Sequence, residues 1–233
     1  MEIIKIKNLQ KTYGKENNKI TALDNINLTV KKGEFIAIIG PSGSGKSTLM
    51  HMLGLMDDFD SGGIYINKID ISTLTEEEKT KFRRDNIGFV FQFYNLLPVL
   101  TLKENIILPA LLTGKKPKNY ERLANTLKIK EKENSMPNDV SGGQQQRTAI
   151  ARALINKPAI LLADEPTGNL DSENAKKTMK ILKYYNKLGQ TIILVTHDLE
   201  LAKNAKRIIT IKDGKIAKDE INEKRCNRKP KTY

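Results

Sequence analysis

The stretch "FIAIIGPSGSGKSTLM", residues 35–50, decides the fold. Its first part, Phe35 to Gly40, is an unbroken apolar run stopped by glycine, the pattern of a strand buried on both faces. Behind it, "GPSGSGKS", Gly40 to Ser47, fits G-x-x-x-x-G-K-[ST] without a mismatch, and the chain from Lys46 to about Leu55 reads as a helix. Strand, glycine-rich loop and helix in that order cradle phosphate. Gly40, Gly43 and Gly45 let backbone N–H groups turn inward, with Pro41, Ser42 and Ser44 completing the loop. Lys46 is a point charge for the β- and γ-phosphates, and the Ser47 hydroxyl is a Mg²⁺ ligand, with Thr48 beside it. The N-terminus of the helix adds its own attraction for anions.

Outward from this stretch, apolar strands and helices alternate. "EIIKIKNL" and "INLTV" alternate with period two before the turn "KKGE", and "GGIYINKIDI" reads as a hairpin turning at Asn67 and Lys68. "TEEEKTKFRRD" is a polar helix with acids early and bases late, as the helix dipole favours. "IGFVFQ" is a further buried strand. From about Phe93 to Asp139 the strands stop, Pro98, Pro109, Pro117 and Pro137 appear, and helical patterns dominate. This reads as an inserted helical subdomain. From Ser141 onward helices precede the strands "AILLAD", "TIILVT" and "RIITI", and "KDGK" is a closing turn. Such alternation predicts an α/β fold with a mostly parallel sheet covered by helices.

Three further segments carry chemistry. "SGGQQQRTAIARAL", residues 141–154, puts two glycines behind a serine at the start of a helix, a second anion receiver with no lysine of its own. "ILLADE", Ile160 to Glu165, is an apolar strand that delivers two acids at its C-terminal edge, where α/β proteins place ligands. Strand alternation would aim them in different directions. Asp164 is the candidate for contact with Mg²⁺, and Glu165 the candidate base for water. "TIILVTHD" places His197 past the end of another buried strand, where its neutral ring could bridge the γ-phosphate and the attacking water. His51, among apolar neighbours, reads as structural. Gln92 ends "IGFVF" and can reach Mg²⁺ or its water. Tyr13, in "KTYG", offers a ring on which a base could stack.

The bulk composition sets bounds on partners. The 233 residues carry 40 Lys+Arg against 27 Asp+Glu, a formal charge of +13, which points to an acidic partner or to a solvated lysine-rich surface. Cys226 is the only cysteine, so no intrachain disulfide is possible and a reducing compartment fits. The segment "EKRCNRKPKTY" around it reads as a frayed basic tail. No signal-like segment precedes the first strand pattern, and no apolar run approaches the ~20 residues that cross a bilayer. Work at a membrane is therefore expected to go through a partner.

Taken together and in order, the motif at Gly40–Ser47, Gln92, "SGGQQ" at Ser141–Gln145, "ILLADE", "GNLD" at Gly168–Asp171 and His197 resemble those of the ATP-binding cassette (ABC) ATPases over essentially the whole chain. The resemblance implies one cassette domain. Its core, residues 1–92 and 144–222, is of P-loop NTPase type and carries an N-terminal antiparallel β subdomain. The helical subdomain is inserted at 93–143, and the tail is 223–233. It also implies a head-to-tail homodimer with ATP and Mg²⁺ between copies. Tyr13, the loop Gly40–Thr48, Gln92 and His197 would face ATP in one copy. Ser141, Gly142, Gly143, Gln144, Gln145 and Asp171 would face it from the other. Lys46, Gln92, Glu165 and His197 would be catalytic, with Ser47, Gln92 and Asp164 at the metal.

A narrower resemblance joins "IGFVFQFYNLLPVLTLKENIILP", "SGGQQQRTAIARAL" and "ADEPTGNLD" to the cassettes of lipoprotein-release, macrolide-export (MacB/LolD-type) and bacitracin-type peptide-resistance transporters. It implies a cassette at the cytoplasmic face of the cell membrane. Its permease partner would dock near Phe93, Tyr94, Leu96 and Leu97, and the cargo would be a lipid, lipoprotein, macrolide or antimicrobial peptide. Asp60 stands where that group usually carries proline or a similar turn residue. Two other classes share the motifs: a cassette coupled to a membrane partner in cell division, and a nucleic-acid machine. Only about a hundred residues lie between Lys46 and Ser141, with no sustained heptads and a single cassette, so no nucleic acid partner is expected.

Overall fold

The computed structural model describes residues 1–14, 18–114 and 116–222, so the tail read at 223–233, Cys226 included, lies outside the described residues. The chain divides into two compact units, Met1–Thr73 with the chain from Thr191 onward, and Leu74–Gln190. The insertion read at 93–143 falls wholly inside the second.

In the first unit, β1 (Glu2–Tyr13) and β2 (Ile20–Lys31) pair antiparallel, with Ile4 opposite Val30 and Ile6 opposite Leu28. Ile4, Leu9, Ile26 and Val30 are all fully buried, Leu9 joining them because a register shift between Ile6 and Leu9 breaks strict alternation along β1. After β3 (Phe35–Ile39) and α1 (Lys46–Leu53), the hairpin of β4 (Ser61–Ile66) and β5 (Ile69–Asp70) adds to β1, giving the order β2-β1-β4-β5. Asn67 and Lys68 both take positive φ, 51° and 69°, as a two-residue hairpin of this hand requires. Helix α1 stops two residues before the expected Leu55, at a Gly54 cap, and Leu55 itself is left-handed with φ 54°.

The second unit is built around a parallel pair. Helix α2 (Glu76–Asn86) opens with a capping box between Thr75 and Glu78. It leads into β6 (Ile87–Val90); then come α3 (Leu102–Leu111) and α4 (Tyr120–Thr126), the helical content expected there. Helix α5 (Gly142–Leu154), β7 (Ile160–Asp164) and α6 (Ser172–Lys187) follow. β6 and β7 run parallel in the register Ile87–Ile160 to Val90–Ala163. A Cβ at Gly88 would meet Ala153 O at 2.4 Å, so this glycine lets α5 lie directly on the strand.

The chain then returns to the first unit with β8 (Thr191–Val195), α7 (Leu199–Ala202), β9 (Arg207–Lys212) and β10 (Lys215–Ile221). β3 is paired in parallel on both sides, with β8 from Phe35–Ile192 to Ile38–Val195 and with β9 from Ile36–Arg207 to Ile39–Thr210. That double pairing accounts for its unbroken apolar sequence. β10 returns antiparallel to β9. Arg207 ties the two sheets of this unit together: it grips Asp219 through two bonds of 2.6 Å, donates to Thr29 O at 2.8 Å and reaches Glu34 at 3.2 Å.

Asn105 on α3 has no solvent exposure and holds the loop before its own helix. Its amide N–H₂ lies 3.0 Å from both Leu97 O and Leu100 O, and its Oδ1 accepts from Leu97 N at 2.8 Å. Asn105→Leu keeps the branching of the side chain but loses its polar atoms and strands these buried backbone groups. It should lower unfolding free energy by roughly 2–4 kcal/mol, read as a lower midpoint in urea denaturation.

Candidate functional site

The glycine-rich loop stands at the C-terminal end of β3, as read from sequence. Gly40, Gly43 and Gly45 take φ of 153°, 75° and 101°. Two of them are also required by packing: a Cβ would lie 2.1 Å from Ile211 O at Gly40 and 2.2 Å from Ala22 O at Gly45. At Gly43 nothing is near, so backbone conformation alone asks for glycine there. Lys46 is only 8% exposed, and its ammonium donates to Gly40 O at 2.9 Å and Pro41 O at 2.7 Å. Gly45 caps α1 without a side-chain bond. Ser42 and Ser47 are exposed and Thr48 is half-buried.

His197 belongs to the same edge. Ile38 pairs with Val195, and Thr196 N donates to Ile38 O at 3.2 Å, so Gly40 and His197 each lie two residues beyond a paired position on neighbouring parallel strands. The side chain of His197 is exposed. Asp198 next to it caps α7 through Glu200 N at 2.7 Å and Leu201 N at 3.2 Å. Tyr13 ends β1 and is 39% exposed. His51 is half-buried on α1, in keeping with the structural reading.

In the second unit the parallel pair sets out another group of residues. Val90 pairs with Ala163, so Gln92 and Glu165 leave the same edge. β7 ends at Asp164, and Glu165 has φ 43°. The plain strand alternation expected for the two carboxylates therefore stops one residue short, because the chain turns at Glu165 and Gly168 N closes that turn on Glu165 O at 3.0 Å. A Cβ at Gly168 would lie 2.8 Å from Gln92 Nε2, and Asn169 Nδ2 donates to Gln92 O at 3.1 Å.

The helix start at Ser141 joins this cluster. Ser141 and Gln144 form a capping box: Ser141 N donates to Gln144 Oε1 at 2.9 Å and Gln144 N to Ser141 Oγ at 3.4 Å. Gln145 Nε2 donates to Val140 O at 3.3 Å. The amides of Gly142 and Gly143 open the helix and have no intrahelical acceptor. A Cβ on Gly142 would meet the Tyr94 hydroxyl at 2.8 Å, and one on Gly143 the Asn174 side chain at 2.4 Å. Asn174 in turn bonds Asp171, the cap of α6, through its backbone N at 2.8 Å and its amide at 2.6 Å. These two bonds hold the Asp171 carboxyl below its ordinary pKa.

Several of the supporting residues carried no signal in the sequence reading. Tyr94, expected to face a partner, sends its hydroxyl to Asn169 O at 3.3 Å. It and Asn95 are left-handed, with φ 59° and 49°, and Arg152 donates to both of their carbonyls, at 2.7 and 2.5 Å. Burial pushes that guanidinium below its ordinary pKa. Gln146 is fully buried and donates to Pro166 O at 2.6 Å, tying α5 to the turn after Glu165. The glutamine run hides this, since nothing in three identical residues says which one points inward.

Among the described residues no three His, Cys, Asp or Glu side chains group so as to hold a metal ion by themselves. Ser47, Gln92 and Asp164 each carry a hard oxygen donor, the ligand type that Mg²⁺ takes alongside phosphate oxygens and water. No helix among the described residues is long and apolar enough to cross a membrane.

A buried strand, a glycine-rich loop and a lysine folded onto its carbonyls define a P-loop NTPase. The comparisons narrow the class. The profile of the family described as "ABC transporter" matches residues 23–168. The chain is 48% identical over 227 residues to the uncharacterized ABC transporter ATP-binding protein MJ0796 of Methanocaldococcus jannaschii, covering 94% of this chain and 97% of that one. It is 47% identical over 226 residues to the macrolide export ATP-binding/permease protein MacB of Campylobacter jejuni, spanning 35% of that longer protein. A dimeric structure of a post-hydrolysis state of the M. jannaschii cassette bound to ADP and Pi superposes with a TM-score of 0.85 at 45% identity, covering 94% of this chain and 99% of that one. A second dimeric structure of that cassette gives 0.86 at 46%, with the same coverage. The chain belongs to the ABC transporter family and is one of its ATPase cassettes.

Gly40→Ala would place a methyl group against the Ile211 carbonyl at a φ that L-residues rarely adopt. It should cost at least about 1–3 kcal/mol of stability, seen as a lower thermal midpoint, and should abolish ATP binding in calorimetry.

Proposed function

We propose that this chain is the ATP-hydrolysing subunit of a membrane transporter and works as a head-to-tail pair of identical copies. The observation that carries the reading is the start of α5. Gly142 and Gly143 open the helix inside a prebuilt capping box, in a segment whose sequence has no lysine, whereas the Gly40–Ser47 loop has its lysine in place. The two receivers are complementary halves of one site, and closed two-fold symmetry makes two such sites per pair. The dimeric M. jannaschii cassette, similar along nearly its whole length, supports this.

In this reading Tyr13 stacks on the adenine, and the loop Gly40–Thr48 wraps the phosphates. Lys46 turns from its own loop carbonyls toward the β- and γ-phosphates. Bound Mg²⁺ neutralises charge on the transferring phosphoryl group, and Ser47, Gln92 and Asp164 are the residues that would hold it. Glu165 orients and deprotonates the attacking water, and His197 contacts the γ-phosphate. Ser141, Gly142, Gly143, Gln144, Gln145 and Asp171 act on the nucleotide of the other copy. Segment 93–143 links this chemistry to a permease, at the cytoplasmic face of the membrane. Phe93, 72% exposed, and Leu97, 43% exposed, are the apolar contacts offered there, and Leu96 is half-buried behind them. A groove of about 420 Å³ lined by Phe89, Phe91, Pro109 and Leu112 lies in the same unit and suits a short helix of the permease. Similarity to the macrolide export protein supports an export role, and the sequence resemblance widens the proposed cargo to a lipid, lipoprotein, macrolide or antimicrobial peptide.

Glu165→Gln should lower ATP turnover by about 10²- to 10⁴-fold, the worth of a positioned base, and should accumulate an ATP-bound dimer in gel filtration. Normal turnover would sink the base assignment. Ser141→Arg should leave ATP binding by the single chain intact in calorimetry and block turnover. Weakened binding by the monomer would instead mean that Ser141 acts on its own chain's nucleotide.

A further inference from the structure

The end of β1 is held in an unusual way. Its ladder with β4 stops at Gln10–Ser61, and its pairing with β2 shifts register on either side of Lys11. Beyond that point the loop Asp57–Asp60 takes the place of a neighbouring strand. Asp60 N donates to Gln10 O at 2.9 Å, and Thr12 N donates to Asp60 Oδ2 at 2.7 Å. Lys11 and Tyr13, two residues apart on a strand, share the face opposite Thr12. One carboxylate spans them: Asp57 Oδ1 accepts from the Lys11 ammonium at 3.1 Å, and Asp57 Oδ2 accepts from the Tyr13 hydroxyl at 2.7 Å. The same ammonium donates to Asp58 O at 2.5 Å and lies 4.8 Å from the centre of the Tyr13 ring.

A tyrosine at a strand end has two free side-chain torsions. Here the hydroxyl is anchored at one end of the ring and a cation rests against it, yet 39% of the residue stays open to solvent. We propose that Asp57 is a positioning residue which, with Lys11, fixes the Tyr13 ring in the orientation that receives the nucleotide base. This rests on the reading that Tyr13 stacks on the base. The protonation states suit the arrangement. Burial, then the bond to Asp57, raise the Tyr13 hydroxyl above its ordinary pKa and keep it a donor. Burial pushes the Asp57 carboxyl up, but the bonds from Tyr13 and Lys11 outweigh it and hold the group below its ordinary value, an ionised acceptor. Prealigning the ring removes torsional freedom before the base arrives, so the benefit falls on binding and leaves the chemical step alone.

The test is steady-state ATP hydrolysis by the full chain, with tripolyphosphate, which has no base, as a competitive inhibitor. Tyr13→Ala should raise the KM for ATP by about 5- to 100-fold, the worth of one base on one ring. Asp57→Ala and Tyr13→Phe should each raise it by about three- to tenfold, a fraction of that stack, with kcat within about twofold and the tripolyphosphate inhibition constant unchanged. The double variant should be no worse than Asp57→Ala alone, because Tyr13→Phe removes only a bond that Asp57→Ala has already removed. Tyr13→Phe leaves Asp57 in place and so reports on the hydroxyl even if Asp57→Ala folds poorly. Unchanged KM in Tyr13→Ala overturns the stacking reading itself. Raised KM in Tyr13→Ala with unchanged KM in Tyr13→Phe and Asp57→Ala overturns the positioning role alone. A parallel rise in the tripolyphosphate constant would also overturn it, since the damage would then lie in the phosphate loop.

Discussion

The parallel pairing of β3 on both its edges is the constraint from which the first unit's chemistry descends. A strand flanked by β8 and β9 must be apolar on both faces, and Phe35 to Ile38 are wholly buried. Parallel neighbours also end on the same edge, so the loop at Gly40 and the histidine at 197 emerge together although more than half the chain separates them. The carbonyl of Ile211 on β9 then leaves no room for a side chain at Gly40. Sheet pairing and loop composition are thus one requirement seen twice, because β9, paired beside the strand that carries the phosphate loop, forbids any residue but glycine at the loop's root.

A second parallel pair repeats the logic in the other unit. β6 and β7 deliver Gln92 and Glu165 to one edge, and the left-handed turn at Glu165 carries the chain to Gly168, Asn169 and Asp171. These meet the start of α5 through small contacts in which glycine is essential: Gly142 beneath Tyr94, Gly143 beneath Asn174, Gly168 beneath Gln92. Gly142 and Gly143 do more than expose amides. They allow three segments distant in sequence to close to hydrogen-bonding distance.

Periodicity and punctuation made the strands, the helices and the phosphate loop legible, because each is a local pattern: apolar runs ended by glycine, acids before bases, Asn-Lys and Asp-Gly at hairpin turns. The three capping boxes at Thr75, Thr101 and Ser141 are local too. What stayed hidden depends on distant partners. Asn105 is a polar residue in an apolar helix until the loop it holds is seen. Tyr94 read as a contact for a permease, and its bond to Asn169, 75 positions away, left no local pattern to find. Asp60 stood out only as a departure from the family's usual turn residue, and its purpose is the backbone N–H of Thr12. Strand alternation misplaced Glu165 because a positive φ at an acidic residue leaves no mark in composition.

The capping box at Ser141 has a kinetic consequence. The hydroxyl and amide that frame this helix start are already bonded to each other within one turn, so the surface offered to a second copy is rigid before that copy arrives. Little ordering is left for the moment of contact. In the proposed pair, closure would then be timed by how often two charged bodies of like sign meet, and by the nucleotide that offsets their repulsion. The set geometry of one helix turn, together with the excess of lysine and arginine, would make the nucleotide's own negative charge part of the glue.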